Sequence, residues 1–170
     1  MGLSIVGIGY YLPENRVSND FLLELLRRKS GQFVDIERLR KKLVVNQAEQ
    51  RYFKNPEETG ADMAEQAAQK CLRKLNFNPR ELELILYVGM LRDYVEPAMA
   101  IILQDRLGAD KAHAFDLANA CNSFLNAMEI ADLYVKSGKY QNVLIVGAEN
   151  GSERIPWHLF NSEENFAGFS

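Results

Sequence analysis

The sequence predicts an α/β fold built on a parallel sheet. Short, continuously apolar runs, Leu84–Gly89 and Asn142–Gly147 above all, are too brief for helices and have the uniform character of strands covered on both faces. Helical segments alternate with these runs, which is the pattern of βαβ units. Each helical segment also carries its own punctuation, with Ser18 and Thr59 as starts and Gly108 and Gly138 as ends.

Taken in order, Leu3–Tyr10 reads as a strand closed by a turn over Leu12–Asn15. Ser18-Asn19-Asp20 caps a helix over Phe21–Lys29 with Leu22, Leu25 and Leu26 on one side, and a second, charged helix covers Asp35–Leu43. The cations of that second helix, Arg38, Arg40, Lys41 and Lys42, read as a solvated face. Thr59-Gly60-Ala61-Asp62 resembles a capping box and opens a helix whose stripe includes Ala64, Ala68, Cys71 and Leu72. Asn78–Glu81 forms a turn or short helix that hands over to the buried strand at Leu84. Pro97 suits the first turn of the next helix, which ends near Gly108. Ala112–Leu117 is a strand, a helix runs from about Asn122 to Ser137, and Asn142–Gly147 is the following strand. Phe124, Leu125, Met128, Leu133 and Val135 make the Asn122–Ser137 helix apolar on nearly every face, so it is expected to be buried between layers. Beyond Gly151 the pattern weakens, and the chain reads as cut at Ser170.

The 170 residues, 47% hydrophobic and 25% charged, fit one globular core. A net charge of −3 argues against a general nucleic-acid binder, whose phosphate contacts require a basic footprint. The longest apolar runs fall well short of the roughly 20 residues of a membrane helix. With no charged leader at the N-terminus, the expected compartment is the cytoplasm, and Cys71 and Cys121 are expected as reduced thiols.

Cys121 has the surroundings most suited to chemistry. A short strand delivers it to a helix start, where converging backbone N–H groups and the helix dipole favour a thiolate. A base is harder to find. His113 lies on the preceding strand and reads as structural, while His158 lies in the unpatterned tail with no local spacing to support a role. Glu96, in the loop after a buried strand, occupies a ligand-facing position for an α/β protein; helix capping is the competing explanation and is favoured by pattern alone. Gly7-Ile8-Gly9 lacks the last glycine of a dinucleotide-binding loop, and no cluster has metal-ligand spacing.

Four stretches together, Gly7–Pro13, Phe115–Cys121, Ala131–Gly138 and Val143–Glu149, resemble the N-terminal half of a β-ketoacyl-acyl-carrier-protein synthase III of the thiolase superfamily. The resemblance implies a thiolase-like N-terminal half-domain over residues 1–170: a βαβαβ half of a five-layered α/β/α/β/α body that dimerises, with the C-terminal half absent. Leu91–Ala98 with Asp116–Cys121 more closely resembles the acyl-CoA head-to-head condensing enzymes of long-chain olefin biosynthesis. By that likeness Cys121 takes an acyl group from a thioester, and Glu96 of a partner subunit removes an α-proton from a second acyl-CoA. The enolate then attacks the acyl-enzyme, giving a β-keto acid.

No cofactor is implied beyond acyl-CoA or acyl-carrier-protein thioesters as substrates, and no metal. The family's catalytic histidine and asparagine belong to the second half, so the fragment alone is expected to be inactive and, with a large apolar face exposed, to self-associate. Val44–Glu49 departs from the family segment that helps hold CoA. Left open are acyl chain length, donor type, decarboxylative against head-to-head condensation, and an alternative in which the chain is a non-catalytic scaffold half of a heteromeric complex.

Overall fold

The computed structural model describes residues 3–30, 35–47, 49–149 and 151–153. They gather into two compact units, the first formed by residues 3–12 and 57–149 and the second by residues 13–30, 35–47 and 49–56 with 151–153.

The second unit is a small α+β assembly. Strand β1 (Asn15–Ser18) pairs antiparallel with β2 (Gln50–Phe53), in the register Asn15 to Phe53 and Ser18 to Gln50. Between them lie α1 (Asn19–Lys29) and α2 (Ile36–Val45). Both helices begin where the sequence says they should: the Ser18 hydroxyl accepts the Phe21 N–H at 3.2 Å and the Asp35 carboxylate accepts the Arg38 N–H at 3.0 Å. Their leucines, Leu22, Leu23, Leu26, Leu39 and Leu43, close a core with Val17. Leu23, rather than Leu25, completes the buried face of α1. The pair β1 and β2 was not foreseen, because four-residue strands 32 positions apart carry no local hairpin signal.

The first unit holds a three-stranded parallel sheet in the order β4 (His113–Leu117), β3 (Leu84–Val88), β5 (Val143–Val146). Leu84 aligns with His113 on one side and Val143 on the other. Every residue of β3 is buried, as its unbroken apolar run requires. Alternation divides them: Ile85 and Tyr87 meet α3 (Gly60–Lys74) and α4 (Met99–Leu107), while Leu84, Leu86 and Val88 face α5 (Ser123–Lys136). Helix α3 opens with the expected capping box, Thr59 and Asp62 bonding each other's backbone N–H groups.

Three expectations are corrected. Residues 3–13 contain no strand. The segment lies against α3 instead, so tightly that a side chain at Gly9 would meet the Ala67 carbonyl oxygen at 2.5 Å, and Ile5, Val6, Ile8 and Tyr10 remain exposed. Pro97 lies outside the helix it was expected to start, since α4 begins at Met99 with Ala98 as its N-cap. Most consequentially, α5 is not buried all round. Ala127 packs on the sheet and Ala131 is buried, but Phe124, Leu125 and Leu133 are 50%, 64% and 62% exposed. Among the described residues one sheet covers α5, so only the small-residue stripe is enclosed. No helix among the described residues is long and apolar enough to cross a membrane.

Candidate active site

The C-terminal ends of the three parallel strands point to one edge of the sheet, which is where open α/β folds hold ligands. Cys121 follows β4 and the Glu96 loop follows β3, so both singled-out residues lie at that edge.

Cys121 is exposed and is a free thiol, as is the half-buried Cys71. It stands just before Asn122, the N-cap of α5, and just after Ala120, whose φ of 45° lies in the left-handed region. A residue with a Cβ is strained there, which marks a turn held by its surroundings. The holding group is Ser123. Its buried hydroxyl donates to the Ala120 carbonyl at 2.7 Å and accepts the Asn119 N–H at 2.8 Å. The Asn126 side-chain oxygen accepts from the Asn119 amide at 2.6 Å and from the Asn122 amide at 3.4 Å. Asn122 makes no side-chain cap bond to α5. The thiol is thus carried on a tight strand-to-helix turn with the helix N-terminus beside it.

Glu96 is exposed, in a loop running from Gly89 to Ala98 with Tyr94 and Val95 also exposed. Capping does not account for it. The N-cap Ala98 has no side chain able to serve α4, and that service comes from Asp116 on β4: its two carboxylate oxygens accept the Met99 N–H at 3.0 Å and the Ala100 N–H at 2.8 Å. Arg92 lies 3.5 Å from the same carboxylate. Asp93 accepts the Ala61 N–H at the start of α3 at 2.8 Å. At the loop's beginning Glu149, just beyond β5, accepts the Met90 N–H at 2.8 Å, close to Gly89, whose φ of 154° excludes an ordinary side chain. The Tyr87 hydroxyl donates to the Ala148 carbonyl at 3.2 Å, and burial pushes that phenol up to about 12.

Of the two histidines, His113 engages the Tyr140 hydroxyl through Nδ1 and stacks edge-on against its ring, a structural arrangement. His158 lies outside the described residues. Sequence reasoning overlooked Asp116, Asp93, Glu149 and Ser123 as site-building residues. Asp116 had a signal, being an acid in a mostly apolar strand that directly follows a helix with an alanine at its N-cap. The others had none.

The model of 3-oxoacyl-[acyl-carrier-protein (ACP)] synthase III matches residues 115–168, a span containing Cys121. A β-ketoacyl-[acyl-carrier-protein] synthase III of Aquifex aeolicus is 40% identical over 157 residues, covering 92% of this chain and 48% of that protein. One from Clostridium perfringens is 35% identical over 153 residues, covering 90% and 44%. The crystal structure of the Aquifex aeolicus enzyme superposes with a TM-score of 0.73 at 35% identity, covering 92% of this chain and 47% of that one. Xanthomonas campestris OleA, solved with bound lauric acid and lauroyl-CoA, superposes with a TM-score of 0.76 at 25% identity, covering 98% and 51%. The chain spans about half the length of the curated relatives it matches. Sequence and fold together identify it as a β-ketoacyl-acyl-carrier-protein synthase III-like member of the thiolase superfamily, with the α/β architecture of the N-terminal half of that fold.

Proposed function

We propose that this chain is the nucleophile-bearing half of a thioester-condensing acyltransferase in fatty-acid or related lipid biosynthesis. The observation that carries the reading is the shared sheet edge: Cys121 on a tight strand-to-helix turn and the Glu96 loop emerge from neighbouring parallel strands of one compact unit. The Cys121 thiolate attacks the carbonyl carbon of an acyl thioester, and the CoA or carrier thiol leaves with a proton. Glu96 of a partner subunit takes an α-proton from a second acyl-CoA. The resulting enolate forms the new carbon–carbon bond with the acyl carbonyl, Cys121 departs as thiolate, and hydrolysis of the β-ketoacyl thioester gives a β-keto acid. The lauroyl-CoA seen with Xanthomonas campestris OleA supports acyl-CoA as the substrate class.

The remaining catalytic groups come from a second half, in the same polypeptide or another, completing a thiolase-like body in which residues 1–170 form one half-domain. The exposed Phe124, Leu125 and Leu133 of α5 are the face such a half covers. The assembly is a dimer or heteromer working in the cytoplasm, with no cofactor beyond its thioester substrates.

Peptide mass spectrometry after incubating the protein carrying both halves with acyl-CoA should find the acyl group on Cys121. An unmodified Cys121 overturns the reading and favours the scaffold alternative. Glu96→Ala should abolish head-to-head condensation; a variant that still condenses two acyl-CoA molecules removes Glu96 from the mechanism, and one that loses little activity with a malonyl donor assigns the decarboxylative route.

A further inference from the structure

We propose that Asp116 is a positioning residue that clamps the Glu96 loop to the strand leading to Cys121, so that Glu96 is presented to the partner subunit on a fixed prong. The proposal rests on the reading of Glu96 as a base acting across a dimer.

The loop's tip and base differ sharply. At the tip Val95 is 82% exposed, with Tyr94 and Glu96 also turned to solvent. At the base, Asp116 fastens the chain on both sides of the tip, beside the separate bond from the Met90 N–H to Glu149. Arg92, before the tip, pairs with the carboxylate at 3.5 Å; Met99 and Ala100, after the tip, donate their N–H groups to its two oxygens at 3.0 and 2.8 Å. The Asp116 side chain is only 7% exposed, so these contacts are shielded from competing water. The adjoining Asp93 is tied separately to the start of α3.

A loop that only joined β3 to α4 would need none of this, since an aspartate or serine at position 98 would cap α4 locally. Here the cap is supplied from the neighbouring strand, and the same carboxylate draws in Arg92 on the other side of the tip. The result is a short exposed segment anchored at both ends to one buried carboxylate. Both oxygens are used, one for each helix N–H. An asparagine at this position would set an amide N–H₂ against a backbone N–H and would lose the charge that holds Arg92.

The test uses mixed dimers of the protein carrying both halves. One chain carries Cys121→Ser and keeps Glu96; the other carries Glu96→Ala and keeps Cys121, so a single composite site remains. Asp116→Asn on the Glu96-bearing chain should lower condensation on the order of tenfold or more, while acylation of Cys121 on the other chain, read by mass spectrometry, stays constant. Asp116→Asn on the Cys121-bearing chain should cost clearly less.

An equal loss on either chain, or no loss on the Glu96-bearing chain, overturns the proposal and leaves Asp116 as a helix cap. A starting mixed dimer that acylates Cys121 yet makes no product, when the unmodified homodimer does, instead overturns the cross-subunit reading of Glu96. If the Asp116→Asn chain does not fold, Arg92→Gln keeps both cap bonds and removes the clamp on one side. It should lower condensation from the Glu96-bearing chain, and its failure to do so overturns the proposal equally.

Discussion

The turn that carries Cys121 and the loop that carries Glu96 reach the same sheet edge by opposite means. The turn is self-contained: Asn119, Ala120, Asn122, Ser123 and Asn126 supply donors and acceptors to one another within one short stretch of chain. The loop has almost nothing of its own. It is held by Asp116 on β4, by Glu149 beyond β5 and by the N-terminus of α3. A nucleophile that must sit at a fixed angle to a helix N-terminus is well served by a local, strained turn. A group that must reach outward is better served by a loop whose root is rigid and whose tip is free to meet another surface.

The comparison can be broken most severely at Ser123. Ser123→Ala leaves the Asn119 N–H without its partner and the Ala120 carbonyl with only the backbone N–H of residue 123, and should lower stability by about 2 kcal/mol in urea unfolding. Hydrogen exchange at the Asn119 amide should accelerate while Met99 and Ala100 keep their protection; if all three accelerate together, turn and loop are one unit and the contrast fails.

Tyr87→Phe acts on the loop side. Losing the hydroxyl bond to Ala148 should cost about 1 kcal/mol, with the enhanced exchange at Met90 rather than Asn119. It also carries a pH signature. Because the folded phenol titrates near 12 against an ordinary value of 10.0, the folded state holds its proton longer than the unfolded one. This residue's contribution to stability is therefore fully present below about pH 10 and declines as pH rises towards about 12. Chemical denaturation across that window should show a slope that Tyr87→Phe lacks.

The smallest effect is expected from Ala120→Gly. Glycine removes the strain of the left-handed backbone, worth roughly 1 kcal/mol, but frees the unfolded chain by a similar amount, so the net change in the unfolding midpoint should lie near zero. Flexibility, however, should rise at Cys121. A slower acylation with unchanged stability would show that the strain serves the nucleophile's geometry, whereas a large gain in stability would show that the turn is strained to no local purpose.

This difference in construction explains what could be read from the residues. Cys121 and its helix start stood out because the signals lie side by side: an apolar strand, small residues and then a helical repeat. The caps at Ser18 and Thr59 were legible for the same reason, each being a contact over three residues, whereas Asp35, read as the first residue of its helix, is that helix's N-cap. Leu3–Tyr10 misled, because an alternation suited to a strand does not specify a neighbouring strand, and the segment settled against α3 through its glycines. The exposed flank of α5 misled in another way, since an apolar surface shows that burial is needed without showing what provides it.

By itself, then, the sequence determined the alternation of strands and helices, the parallel character of the sheet and the place of Cys121 between a strand and a helix start. All of these follow from hydrophobic period and short-range hydrogen bonding. Only the tertiary structure decided that Asp116 caps a helix begun by Met99, that Glu149 and Asp93 hold the Glu96 loop, and that α5 keeps one flank open. Those outcomes depend on which strands become neighbours. That choice is made by packing between distant segments, and no spacing along the chain records it.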